Sequence, residues 1–533
     1  MTNHSPTATI DLPLTGKFDK VGSSLDFQFP RYAQRPAIKV LSPFSKSWST
    51  DNGSHSPLIH ILDDDSLLNI FSFSRPDLVD GKNEDNAALI LRGGEWKQER
   101  WWYRLIQVCR RWRYLVLESA FHLGLSLVCA SGTPVADMLA HSPPIPLIID
   151  HYDKYGGPTA IQSAKDEEGI ILALQHRDRV RRIRLLKPIP ILQKLVNALD
   201  GNFPILEYLV IMHQRGLRPR SEHNMHLTPP ETFRAPHLRQ LVLKNFAIPI
   251  ESPLFTTMGN LSTLSLNSIP ASAYFHPNVL LQQLSLMLQL ETLGITFDTY
   301  YPCRDVEQQL LNTPITTRAT LPNLRWLGFQ GTSAYLEALL PWVTTPLLER
   351  LQIFFFNRLV YSISHLRQTM SAAKNLRFKT AMFTLKPDYL AVEAYPHKEA
   401  KMFTLRMELG GRHLDWQVVS AAQVFCALRE VFSEVEGLTL GYDRSGISSQ
   451  WNIEADRTHW RELLGSFGNL KTLHVDSWFI DPLSRALQPG EGESLIDLLP
   501  ELQELSYSDY YNAFTEFIDA RQTAGRPVTL TNK

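Results

Sequence analysis

The chain has 533 residues, 44% of them hydrophobic, and its 53 Lys and Arg nearly balance 54 Asp and Glu, giving a net charge of −1. This length is sufficient for several domains or one extended array, and the balanced charge excludes an overall field that would attract nucleic acid or an anionic membrane. The four cysteines form no Cys-x-x-Cys pair, which disfavours a disulfide framework or a zinc module and is typical of a reducing compartment.

The N-terminal part of the sequence shows neither a targeting pattern nor a sustained hydrophobic period. Residues 1–20 lack the basic-then-apolar pattern of a signal peptide, and the run of about 18 apolar residues that a membrane span requires is found nowhere in the sequence. We therefore expect a cytoplasmic or nuclear protein. Residues 1–55 are rich in Ser, Thr, Pro and Asn, a composition that predicts a disordered tail.

Two helical segments follow, over 61–71 and 101–116, separated by a loop-like insertion at 74–100. Acidic residues from Asp63 onward are suited to cap the first helix, as a solvated helix start rather than a cation site. Its apolar face consists of Leu67, Leu68, Ile70 and Phe71. In the second segment one stripe at helical spacing consists of Leu105, Val108, Cys109, Trp112, Leu115 and Val116.

These segments resemble the F-box, the short helical module that docks substrate receptors on the Skp adaptor of SCF ubiquitin ligases. The resemblance is most specific at Val108-Cys-Arg-Arg-Trp112, which matches the Val-Cys-x-x-Trp core of the later F-box helix. The sequence departs from the family in having Asp63 where Pro is usual, and in its insertion. The resemblance implies an F-box-like domain over 56–120 that binds the adaptor through Leu62, Leu67, Leu68, Ile70, Phe71, Leu105, Val108, Trp112 and Leu115. An alternative is that this stripe is only the internal core of a helical cap.

Residues 121–533 repeat the pattern Leu-x-x-Leu-x-Leu, each copy preceded by a helix-like stretch. The copies begin at Leu206, Leu238, Leu261, Leu290, Leu324, Leu348, Val435, Leu470 and Leu502. A single strand–helix unit cannot bury its apolar face alone, so neighbouring units must stack. The pattern thus predicts an α/β leucine-rich-repeat solenoid, a horseshoe with irregular repeats. It blurs between 353 and 435, where Leu376–Phe378 and Phe403–Met407 are candidates for divergent strands.

The sequence contains no recognisable catalytic or metal-binding motif, so we expect a non-enzymatic protein without a cofactor. The basic cluster over 177–187 alternates with apolar residues, which favours a strand over a phosphate site. His223 and His226 lie in a polar loop and favour a surface pair over a zinc site. In a leucine-rich repeat the positions between the leucines line the concave face. Among them we predict Arg325 and Trp326 as target contacts, because Trp and Arg supply much of the energy of protein interfaces.

The order of segments, and phrases such as Leu-Pro-Asn-Leu-Arg-Trp326 and Gly525-Arg-Pro-Val-Thr-Leu530, are similar to the large mushroom family of F-box proteins with degenerate leucine-rich repeats. That family implies a substrate-recognition subunit of an SCF-type ligase, with the F-box bound to a Skp adaptor and through it to cullin, and the repeats bound to a protein target. The alternative is a leucine-rich-repeat scaffold or ligand-binding protein with no ligase partner.

Overall fold

The structure, a computed structural model, is described here for part of the chain. The described residues are 62–75, 100–152, 160–213, 227, 229–246, 249–250, 252–256, 258–270, 273–298, 313–356, 363–386, 389–396, 403–408, 414–442, 456–488, 498–507 and 513–532. The chain divides into two compact units, Met1–Ile61 and Leu62–Lys533, and every described residue belongs to the second. The predicted tail, most of the predicted insertion and the pair His223 and His226 lie outside the described residues.

The described part of the chain begins with a helical segment. It consists of α1 (Asp64–Phe73), two 3₁₀ turns (Trp101–Tyr103 and Leu105–Gln107) and α2 (Arg110–Glu118). The single helix predicted over 101–116 is wrong in its first half, because Cys109 is extended (φ −156°, ψ 172°) and starts α2 as its N-cap. The Sγ of Cys109 accepts a hydrogen bond from Trp112 N at 3.4 Å. Leu105 and Val108 therefore precede α2 and do not belong to its stripe.

Strands alternate with helices from residue 127 onward. The strands are β1 (Leu127–Ala130), β2 (Leu147–Tyr152), β3 (Val180–Lys187), β4 (Tyr208–His213), β5 (Gln240–Lys244), β6 (Thr263–Ile269), β7 (Thr292–Phe297), β8 (Ala319–Thr320), β9 (Trp326–Gly331), β10 (Val343–Thr344), β11 (Arg350–Phe355), β12 (Thr380–Leu385), β13 (Tyr389–Tyr395), β14 (Phe403–Glu408), β15 (Gly437–Tyr442), β16 (Thr472–Val475), β17 (Glu504–Tyr507) and β18 (Thr529–Asn532). They form a 16-stranded sheet in the order β1-β2-β3-β4-β5-β6-β7-β9-β11-β14-β13-β12-β15-β16-β17-β18, with β8 and β10 paired separately.

Helices between the strands cover one face of this sheet and enclose the main core. They are α3 (Val135–His141), α4 (Ala160–Gln175), α5 (Ile189–Asn197), α6 (Pro253–Thr256), α7 (Pro277–Leu284), α8 (Ser333–Leu339), α9 (Ser364–Ala372), α10 (Leu414–Ala427), α11 (Arg429–Phe432), α12 (Arg457–Leu464), α13 (Ile480–Leu487) and α14 (Thr515–Thr523). Because strand side chains alternate between faces, every second residue points away from these helices. We call that side the second face of the sheet.

The predicted repeats coincide with the strands. Each Leu-x-x-Leu-x-Leu copy places its last two apolar residues on a strand. Neighbouring copies lie in parallel register from Leu206 to Leu348 and again from Val435 to Leu502. Leu293 opposite Leu327 and Ile295 opposite Phe329 are examples, and all four are buried. The unit is thus a mixed α/β fold with a large, mainly parallel sheet, and it resembles a leucine-rich-repeat solenoid.

The region where the pattern blurs contains a three-stranded meander, β12 to β14. Both pairings of β13 are antiparallel, whereas β14 lies parallel to β11 and β12 lies parallel to β15. Phe403–Met407 forms a strand as predicted. Leu376–Phe378 precedes β12 instead of forming it, and its apolar side chains fill the core. No helix separates β12 from β13, so the strand–helix period on which the prediction rests is interrupted here.

Candidate functional site

Polar and aromatic contacts join the two helices of the N-terminal segment. The Asp63 carboxylate accepts a hydrogen bond from Ser66 N at 2.7 Å, which is the main reason that its pKa is lowered. From α2, Arg111 donates to the Asp64 carboxylate at 2.7 Å and to the Leu62 carbonyl at 2.6 Å. The predicted acidic cap of α1 is therefore confirmed, and it also anchors α2.

The residues predicted to bind an adaptor gather at this helix pair but differ in exposure. The rings of Phe71 and Trp112 meet edge to face, with their centroids 4.7 Å apart. The buried members are Leu67, Phe71 and Leu115, the partly buried members are Leu62, Leu68, Leu105 and Trp112, and the exposed members are Ile70 and Val108. The buried side chains hold the segment together, so only the others can contact a partner without unfolding it.

Exposed large apolar side chains are concentrated in the same segment. More than half of those in the described residues lie between 70 and 121, and they are Ile70 (45% exposed), Phe73 (88%), Val108 (58%), Tyr114 (66%) and Phe121 (88%). Exposed apolar patches mark surfaces that bind other proteins, so this segment is the first place to seek one. Sequence reasoning missed Phe73, Tyr114 and Phe121 because they lie outside the apolar stripes. Phe73 lies on α1 and Tyr114 on α2, whereas Phe121 follows α2, and the signal that could have identified all three is a large aromatic residue outside the apolar stripes.

Over its first five strands the second face of the sheet carries two buried apolar clusters beside charged residues such as Asp150 and Arg184. Val128 packs with Ile148, and Val210 packs with Met212 and Val242, in clusters separate from the main core. These side chains are at most 2% exposed. These clusters are consequently structural core, whereas neighbouring side chains of the same face, such as Tyr152, Tyr208 and Gln240, are partly exposed.

Two arginines of the basic cluster on β3 bind carboxylates. Arg184, whose side chain is 1% exposed, donates two hydrogen bonds of 2.7 Å to Asp150 on the neighbouring strand. Nearer the surface, Arg181 donates to Glu207 at 2.9 Å. The predicted strand over this cluster is confirmed as β3, and Arg184 links it to β2.

From β6 to β11 the second face is polar and lined by small residues, with Trp326 at its centre. The six-membered ring of Trp326 lies over Gly328 on its own strand, where an added Cβ would be 2.2 Å from Cη2 of the indole. The ring also reaches Gly294 on β7, where an added Cβ would be 3.2 Å from Cζ3. The two glycines therefore make room for the indole against the backbone of two strands, and Trp326 stays partly exposed.

The two predicted target contacts occupy different places. Trp326 lies on the second face, whereas the Arg325 side chain is at the edge of the sheet, where it binds the Glu349 carboxylate at 2.6 Å. The residue directly opposite Trp326 on β11 is Arg350. Arg350 also lies between the leucines of its repeat, but its spacing does not distinguish it from Arg325.

Other reactive groups form no further site in the part of the chain that the structure describes. No group of three or more His, Cys, Asp or Glu there is placed to hold a metal ion. Burial raises the pKa of the Cys129 thiol to about 11, which disfavours the nucleophilic thiolate. Among the described helices, none is both long and apolar enough to cross a membrane.

Comparison with known proteins identifies no family and no function for this chain. No protein-family model matches the sequence, and no curated protein matches it. Among solved structures, the chain is similar to the leucine-rich repeat-containing protein LegL7 from Legionella pneumophila, with 13% identity and a TM-score of 0.20, over 55% of this chain and 92% of that one. So distant a likeness indicates nothing about function.

Proposed function

We propose that the chain is a non-catalytic substrate receptor of an SCF-type ubiquitin ligase. In this proposal the helical segment 62–121 binds a Skp adaptor, and through it cullin, while the second face of the sheet binds a protein target. The single observation that carries the proposal is the concentration of exposed apolar side chains in the segment whose sequence resembles an F-box.

Different side chains of the helix pair pack its interior and face solvent, as a docking surface requires. Leu67 and Phe71 lie one turn apart on α1 and are fully buried, whereas Ile70 and Phe73, three residues apart, are exposed on another side of that helix. An apolar helix face of this kind is the surface that a partner with a hydrophobic groove binds. Each such side chain stabilises a complex by about 1.5–3 kcal/mol if it becomes fully buried.

The receptor would act by holding its target close to the activated ubiquitin. A target held on the repeats by a receptor that is also held by the ligase has a high local concentration near the activated ubiquitin. No side chain of this chain needs to enter the chemistry of ubiquitin transfer. The proposal therefore requires two binding surfaces on one protein and no catalytic group.

A scaffold or ligand-binding protein with no ligase partner is the second candidate. The polar surface around Trp326 favours it as much as the first, because target binding there does not depend on the helical segment. The two functions differ in one property: only the receptor forms a stable complex with an adaptor.

Co-purification with the Skp adaptor of the same cell distinguishes the two. Wild-type protein is expected to capture the adaptor in a 1:1 complex, and the double variant Ile70→Asp/Phe73→Asp is expected to bind about 100-fold more weakly, because it places two charges in an apolar interface. Leu286→Asp is the matched control, since Leu286 is 50% exposed but lies far along the sequence from the helical segment. Circular dichroism checks that all variants fold.

If well-folded wild-type protein forms no complex with the adaptor, the ligase-receptor proposal is contradicted. The scaffold or ligand-binding function is then favoured. Equal capture by the double variant and the control would show that the exposed face of α1 is not the docking surface.

A further inference from the structure

The surroundings of Trp326 are nearly uncharged. The positions of β6, β7, β9 and β11 on the second face are Thr263, Ser265, Asn267, Thr292, Gly294, Thr296, Trp326, Gly328, Gln330, Arg350, Gln352 and Phe354. Arg350 is the only charged residue among these positions, all of which the structure describes. A ligand that lies across these four strands consequently meets a single formal charge, and that charge is positive.

Arg350 has no carboxylate partner among the described residues. Glu349, its neighbour in sequence, is bound by Arg325 at the edge of the sheet at 2.6 Å. Arg350 lies directly opposite Trp326 in parallel register, so their Cα atoms are about 4.8 Å apart. Trp326 and Arg350, both partly exposed, thus stand side by side in the backbone register of this surface.

Hydrogen-bonding groups without charge flank this pair. Gln352 is exposed two residues beyond Arg350, and Gln330 is partly exposed beyond Trp326 on β9. Side-chain amides can both donate to and accept from the backbone of an extended peptide. The indole offers a broad apolar contact at low entropic cost, which suits a proline or an aliphatic side chain.

We propose that Trp326 and Arg350 form the recognition site for an acidic peptide segment, in which a proline or aliphatic residue contacts the indole and an adjacent carboxylate binds the guanidinium. The inference rests on the proposed function in so far as the second face binds a protein target, and it specifies the chemistry of that target. A basic segment is disfavoured because these strands present no carboxylate to it. Nucleic acid is disfavoured because one cation cannot match a run of phosphates.

Selection from a random dodecapeptide display library, panned on the purified full-length chain without adaptor, tests the site. Peptides selected by wild-type protein are expected to be enriched in Asp or Glu next to Pro or an aliphatic residue. Arg350→Glu is expected to reverse the charge preference toward Lys and Arg. Trp326→Ala is expected to weaken the binding of an enriched synthetic peptide about tenfold.

Two further variants separate a specific site from general surface effects. Gly328→Ala is expected to weaken the same peptide severalfold with Trp326 present, because the new methyl group displaces the indole. Arg367→Glu, which makes the same charge change at an exposed position of α9, is expected to leave selection unchanged.

Failure to enrich acidic peptides, or unchanged selection by Arg350→Glu, would overturn the proposed site. Because the assay contains no adaptor, neither result bears on whether the chain binds the adaptor, which the co-purification tests separately. Conversely, acidic-peptide selection by a chain that captures no adaptor would support this site and contradict the ligase receptor.

Discussion

Replacement of Asp150 by Asn is expected to lower the free energy of unfolding by about 3–5 kcal/mol. The carboxylate is only 15% exposed and accepts two 2.7 Å hydrogen bonds from Arg184, which is itself 1% exposed. An amide of the same shape can accept only one of these bonds and supplies no charge to balance the buried guanidinium. The shift of the urea midpoint, followed by circular dichroism at unchanged slope, measures the loss.

Glu207→Gln is the matched control, because Glu207 pairs with Arg181 between the neighbouring strands but both side chains are about one third exposed, at 29% and 33%. Glu207→Gln is expected to lower the free energy of unfolding by less than about 1 kcal/mol, since solvent screens the ion pair. An equal loss in both variants would show that burial of the Arg184 pair has no special effect on stability.

Replacement of Glu337 by Ala is expected to lower the free energy of unfolding by about 2–3 kcal/mol, because this carboxylate caps a helix of the next repeat. Glu337, 9% exposed on α8, accepts hydrogen bonds from the backbone N–H groups of His365 and Leu366 at 2.9 and 2.8 Å. The N-cap residue of α9, Ile363, makes no capping hydrogen bond from its own side chain. Loss of the carboxylate therefore leaves two N–H groups of α9 unsatisfied.

Amide hydrogen exchange shows whether the loss of stability in Glu337→Ala is located at the start of α9. The amides of His365 and Leu366 are expected to lose protection in Glu337→Ala, together with a lower urea midpoint. Glu462→Ala, at an exposed position of α12, is the control and is expected to change neither. Unchanged protection of α9 in Glu337→Ala would refute the capping role.

The repeat strands were predictable from sequence because their signal is local. Copies such as the one at Leu324 place their apolar residues in the core, so the pattern reports burial directly. The meander around β13 was not predictable in this way, because β13 pairs antiparallel with both neighbours and only three residues separate it from β12. The start of α2 at Cys109 was missed for a related reason: apolar spacing continues through the residue, while its backbone is extended.

The candidate binding surface was only partly visible in the sequence. Trp326 could be identified as an aromatic residue between leucines, but its position depends on Gly294 and Gly328, which lie on two strands. The recurrence of glycine at the same position of consecutive repeats was the available signal. That Glu349 binds Arg325 and not its neighbour Arg350 is a consequence of side-chain geometry, which spacing alone does not determine.

Titration of the purified chain with purified Skp adaptor in a calorimeter tests the central claim most directly. The account predicts 1:1 binding with a Kd of about 1 µM or tighter, a negative heat-capacity change from apolar burial, and about 100-fold weaker binding by Ile70→Asp/Phe73→Asp. No binding by wild-type protein that circular dichroism shows to be folded would contradict the claim that this chain is a ligase receptor.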